Sequence, residues 1–182
     1  LHALTNEAVP VRLQQRLARR ARPHGNAERV AERGGHRFGA EGGPDARIAV
    51  VSSASSLGAE VVSVYREVFT SLGAREVVSL RPESRAQAGD SDLVEPLGKV
   101  SGIFMTGGNQ LKLSSLITGT PFGDAILEAY QRGVAVGGTS AGASILAEHM
   151  IAFGAGGATP KQRMSQLSAG LGLIQGVVID QH

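Results

Sequence analysis

Apolar residues fall into short groups along most of this chain, and the groups alternate between two spacings. Ala46-Arg47-Ile48-Ala49-Val50-Val51 is a nearly continuous run with the length of a buried strand, and it ends in Ser52-Ser53-Ala54-Ser55-Ser56. Leu57, Val61, Val64, Tyr65, Val68 and Leu72 then recur at helical spacing, with Gly73 placed to close that helix. Glu76-Val77-Val78-Ser79-Leu80 reads as a second strand, and a polar stretch from Arg81 to Ser91 leads to a short helix near Asp92–Leu97. A third strand is predicted over Ser101–Thr106, opening into Gly107-Gly108-Asn109-Gln110. Helices are predicted over Leu111–Ile117 and Phe122–Arg132, with Gly133 as a stop. Val134–Gly137 follows as a fourth strand, then a turn and a helix over Ala143–Met150. Gly154–Pro160 reads as loop, and Val177-Val178-Ile179 as a last short strand.

Compact apolar strands alternating with helices predict an α/β fold, a mostly parallel sheet with helices on both faces. Such sheets place ligands beyond the carboxyl ends of their strands. That rule selects Thr106–Gln110, Gly137–Ala141 and Asp180–His182.

Composition adds exclusions. Of 182 residues, 42% are hydrophobic and 19% charged, a globular balance. The absence of cysteine excludes a disulfide scaffold, a thiolate zinc site and a cysteine nucleophile. Apolar runs fall far short of the ~20 residues of a membrane span. A net charge of +2 is too small to argue for a nucleic-acid partner. That charge is unevenly spread: residues 1–43 hold eight Arg, no Lys, four Glu and three of the five histidines (His2, His24, His36). Residues 11–22 have the composition of one short basic helix, which Pro23 would stop. We therefore expect two parts, an Arg-rich arm over 1–43, disordered or non-native, and an α/β hydrolase domain over 44–182. The arm has no apolar core of the kind a secretory signal needs, so the expected location is cytoplasmic.

The chemistry sits at the strand ends. Gly138-Thr139-Ser140-Ala141-Gly142 fits the G-x-S-x-G pattern between a strand and a helix, the context a nucleophile elbow requires. Small residues at 138 and 142 allow the sharp turn that lifts Ser140 outward. The N–H of Ala141 and the helix N-terminus would then face a developing oxyanion. The alternative is a glycine-rich turn that binds an anion or packs tightly. In Gly107-Gly108-Asn109-Gln110, Gly108 is the candidate second oxyanion donor. Gln110 offers both a donor and an acceptor to an amide or carboxylate ligand. Here the alternative is an ordinary turn with an Asn helix cap. A serine needs a neighbouring base. His182 lies just beyond the last predicted strand, whereas His149 falls within the helix after the elbow, facing solvent or packing; spacing alone leaves a capping role for His182 open.

Together these segments resemble the cyanophycinase branch of the serine peptidase family that also contains the aspartyl dipeptidases. The resemblance rests on Phe104–Leu113, Gly137-Gly138-Thr139-Ser140-Ala141-Gly142-Ala143-Ser144 and Val178-Ile179-Asp180-Gln181-His182, with Thr159-Pro160 and Gly170–Leu173 in support. It runs from about Gly43 to His182. It implies a fold like that of class I glutamine amidotransferases, with serine in place of their cysteine. The implied reaction is hydrolysis of cyanophycin, a poly-aspartate with arginine on each side chain, to beta-aspartyl-arginine dipeptides. By position Ser140 matches the nucleophile and His182 the base, while Gln110, Asp180 and Gln181 match substrate-lining positions. Neither a metal nor an organic cofactor is implied; members of the family are often homodimers, while nothing in this sequence reads as a dimer surface. The family pattern also implies an orienting acid ahead of Thr159-Pro160, and residues 154–160 contain none; Glu148 is the nearest carboxylate, and it would serve only if its helix ended early. Against that pattern the chain reads as incomplete at both ends. Two other readings stay open: an aspartyl dipeptidase, and a binding module that kept the site and lost turnover.

Overall fold

The computed structural model describes residues 45–154 and 165–179. The Arg-rich arm, most of the loop expected at 154–160, and Asp180, Gln181 and His182 lie outside the described residues.

The sheet has four parallel strands, β1 (Arg47–Val51), β2 (Glu76–Leu80), β3 (Gly102–Met105) and β4 (Ala135–Gly138), in the order β2-β1-β3-β4. All four are the predicted strands within a residue or so at each end. Helix α1 (Ala59–Ser71) joins β1 to β2. A 3-10 turn at Gln87–Gly89, the short α2 (Ser91–Val94) and another 3-10 turn at Glu95–Gly98 lead into β3. Helices α3 (Gln110–Ile117) and α4 (Pro121–Gln131) lie between β3 and β4. The four-residue α5 (Ala141–Ser144) follows β4, and an antiparallel pair, β5 (His149–Gly154) and β6 (Ser165–Ala169), forms a second small sheet.

Alternation along the strands divides the core between the two faces of the sheet. Ile48 and Val50 of β1 and Phe104 of β3 pack with Val62 and Phe69 of α1. Ala49, Val51, Ile103 and Met105 point the other way, onto Leu113, Ile117, Phe122, Ile126 and Ile145. Because each central strand buries both faces, its text is an unbroken apolar run. On the α1 face, Tyr65 and Phe104 have ring centroids 4.7 Å apart, and Phe69 meets Phe104 edge-on at 5.4 Å.

Two predicted elements differ. The helix expected over Ala143–Met150 stops at Ser144 because a later segment takes its carbonyls. Leu171 N–H donates to Ile145 O, Ile174 N–H to Leu146 O, Gly172 N–H to Ala147 O and Gly170 N–H to Glu148 O. A Cβ on Gly170 would lie 2.0 Å from Ala147 O, so the approach depends on glycine. Tertiary pairing therefore overrides local helix preference, and His149 and Met150 start β5 instead. The strand expected at Val177-Val178-Ile179 is also absent: that apolar run has no ladder partner among the described residues, and Val177 and Val178 are exposed. The β5–β6 pair was not anticipated at all.

The polar stretch after β2 has a structural task. The guanidinium of Arg85 donates from Nη1 to Ser115 O (2.8 Å) and Thr118 O (3.0 Å), and from Nη2 to Gly119 O (3.1 Å). It thereby satisfies carbonyls at and beyond the end of α3 that no helical N–H reaches.

Two outcomes are expected. Phe122 is fully buried at the start of α4, so Phe122→Ala should cost about 3–5 kcal/mol in urea unfolding. Burial pushes the Tyr65 phenol above its ordinary value of 10.0. Its contribution to stability is thus intact below pH 10 and is lost as pH rises through the higher folded value. In alkaline melts Tyr65→Phe should show less of that loss than the parent chain.

Candidate active site

The loops after β1, β3 and β4 gather at the carboxyl end of the sheet. The strand order reverses between β1 and β3, the position where open α/β sheets leave a crevice. Gly108 closes these loops onto each other. Its φ is +142°, and a Cβ there would lie 2.1 Å from Ala54 O. Next to it the Asn109 N–H donates to the same carbonyl at 3.0 Å. The Asn109 side chain accepts from Lys112 N–H at 2.9 Å, so it is the N-cap of α3. The Asn-cap alternative therefore describes Asn109, while Gly108 before it makes the close backbone contact.

The turn after β4 is tighter still. Gly138 pairs in register with Met105, and Thr139 N–H donates to Met105 O at 3.1 Å. The chain then folds back so closely that a Cβ on Gly142 would lie 2.1 Å from Met105 O. A Cβ on Gly138 would lie 2.5 Å from Gly142 C and O and 2.8 Å from Met105 O. Between the two glycines Ser140 takes φ 50°, ψ −117°, the single positive φ of any non-glycine residue described. A residue there bears roughly 1–3 kcal/mol of backbone strain, which persists because its surroundings over-determine it.

The bend presents Ser140 to solvent while Ala141 and Gly142 behind it are buried. Gly107 faces it from the β3 loop: a Cβ there would stand 3.3 Å from the Ser140 Cβ. Thus Gly107-Gly108 and the Ser140–Ala141 bend, distant in sequence, share one rim. Neither the Gly108 nor the Ala141 N–H donates to a backbone carbonyl among the described residues. The macrodipole contributes little, since α5 has only four residues; the local amides are the donors the site offers.

Gln110 begins α3 beside this rim, and its Nε2 donates to Ile151 O of β5 at 3.2 Å. The amide thus anchors β5 as well as lying where the sequence places a ligand contact. Glu148 does lie outside any helix, yet its carboxylate is half-exposed and neighbours His149 Nδ1 at 3.9 Å. His149 is likewise half-exposed, as expected, though on a strand. Among the described residues no group of His, Asp and Glu could hold a metal ion, and no helix is long and apolar enough to cross a membrane.

Sequence reasoning passed over Ser144. It is 1% exposed, and its Oγ donates to Ile179 O at 3.1 Å, tying the elbow helix to the residue just before Asp180-Gln181-His182. The available signal was its spacing of one helical turn from Ser140.

The profile of Peptidase family S51 matches residues 39–182. A cyanophycinase from Geminocystis herdmanii is 40% identical over 142 residues, which are 78% of this chain and 52% of that protein. A cyanophycinase from a Nostoc species is 38% identical over 146 residues, 80% of this chain and 49% of its own. The chain thus spans about half the length of these curated relatives. A crystal structure of a peptidase from an acI-B1 Actinobacterium shares the fold, with a TM-score of 0.56 at 24% identity over 81% of this chain and 57% of that one.

Two substitutions should move stability in opposite directions. Gly142→Ala must displace the end of β3 and should lower the melting temperature sharply. Ser140→Gly relieves more strain than the ~0.4–1 kcal/mol of unfolded-chain entropy it adds, so it should raise stability by about 1 kcal/mol. Thermal melts of the two variants check both signs.

Proposed function

Because the chain belongs to Peptidase family S51, we propose that it is a serine-type exopeptidase acting on cyanophycin, with Ser140 as nucleophile and His182 as general base. The observation that carries this reading is the strained Ser140 bend facing Gly107 across the sheet rim. The relatives' name supports the substrate.

In the proposed reaction, His182 accepts the Ser140 proton as Oγ attacks an aspartyl carbonyl carbon. The carbonyl oxygen becomes an oxyanion and receives the N–H groups of Gly108 and Ala141. Each such donor is worth about 2.7–4 kcal/mol in the transition state. On collapse the C–N bond breaks, and the leaving amine takes the proton from His182. Water, deprotonated by the same imidazole, then cleaves the acyl-enzyme. The product of this scheme is a beta-aspartyl-arginine dipeptide. Gln110, Asp180 and Gln181 are assigned to the substrate: the Gln110 carbonyl oxygen accepts, and the Asp180 carboxylate suits a guanidinium.

A second reading, a binding module with impaired turnover, is favoured by two observations: residues 154–160 contain no acid, and the Glu148 carboxylate is half-exposed, 3.9 Å from the Nδ1 of the adjacent His149. Loss of an orienting acid lowers turnover by about 10⁴ in a well-studied triad and leaves residual catalysis.

Incubation with cyanophycin and with an Asp-Leu dipeptide, followed by assay of released products, distinguishes the readings. Dipeptide release from cyanophycin alone, abolished in Ser140→Ala, is the expected result. Leucine release would assign the chain to the aspartyl dipeptidases. Binding of cyanophycin without product would favour the impaired module.

A further inference from the structure

We propose that Ser144 is a positioning residue for His182, holding the segment that carries the base against the helix that carries the nucleophile. The inference deepens the assignment of Ser140 and His182 as a nucleophile–base pair and rests on it.

Buried serines in helices commonly return their hydroxyl to the carbonyl one turn back. In α5 the Ser140 carbonyl already accepts the N–H groups of Ala143 and Ser144. The Ser144 hydroxyl donates instead to Ile179 O, 35 residues away, at 3.1 Å. That carbonyl belongs to a stretch with little else to fix it. Residues 175–179 form no strand, Val177 and Val178 are exposed, and no backbone hydrogen bond ties 175–179 to the body among the described residues. Among the described residues, the Ile179 side chain packs against the main core cluster and the Ser144 hydroxyl holds its carbonyl.

The distances suit this task. Ser140 and Ser144 are one helical turn apart, about 6 Å along the axis. From Ile179 to His182 the chain spans at most about 11 Å. His182 follows three residues beyond the held carbonyl, so the untethered stretch that carries the imidazole is short. Releasing Ile179 lengthens that stretch and makes the proposed serine–imidazole approach less frequent. Alanine removes the tether and leaves the fold's apolar contacts unchanged.

The test is the rate at which a fluorophosphonate probe labels Ser140 in the parent chain, Ser144→Ala, His182→Ala and the double variant. Hydrogen exchange of the C-terminal peptide is followed in parallel. Ser144→Ala should slow labelling about tenfold, the worth of one hydrogen bond. In the His182→Ala background the same substitution should change the rate less than about twofold, because its effect passes through the imidazole. Exchange should accelerate in the peptide around Ile179 and not in the sheet. Equal slowing in both backgrounds, no slowing in either, or loss of protection spread over the whole chain would overturn the proposal. A parent chain that is not labelled, or is labelled equally in Ser140→Ala, would instead remove the serine-peptidase reading on which it rests.

Discussion

The candidate site depends on the place found for one backbone carbonyl. Met105 O, at the end of β3, accepts the Thr139 N–H and lies where side chains on Gly138 and Gly142 would otherwise stand. With no Cβ on either glycine, the strand-to-helix connection collapses onto β3. Ser140 is then left with a left-handed backbone and an outward-facing side chain. The conformational cost at one residue is met by a ladder buried on both faces, in which Ile103 and Met105 are inaccessible to solvent. Ser140 is thus held against a strand buried on both faces, while Gly108 and Gln110 come to the rim from a loop and the start of a helix.

The same economy appears around the rim. Gly108 meets Ala54 O, and Asn109 both donates to that carbonyl and caps α3. Gln110 reaches across to Ile151, and Arg85 closes the opposite end of α3. Residues that look like ligand contacts are therefore also fasteners between elements, and their substitution would disturb more than affinity.

The parallel sheet was legible because its central strands are apolar on both faces, so Ile48–Val51 and Ile103–Met105 stand out in the text. The elbow was legible because glycine spacing and strand context coincide at 138–142. What escaped were features set by contacts distant in sequence. Nothing local in Ile145-Leu146-Ala147-Glu148 opposes a helix; its carbonyls are claimed by residues 170–174. Likewise Val177-Val178-Ile179 has every local mark of a strand and finds no partner strand among the described residues. Ser144 was passed over for the same reason: its spacing from Ser140 is visible in the text, but the carbonyl it meets lies 35 residues away.

The claim of residues 170–174 on the chain behind α5 also orders events in time. Local pieces such as α1 and α4 can gain structure as soon as they exist, whereas this pairing must first close a loop of more than twenty residues and meet its entropic cost. Until then the short helix supporting the bend has no fixed end. A nascent chain that has not yet reached residue 170 accordingly carries the Ser140 bend without the pairing that ends the helix behind it.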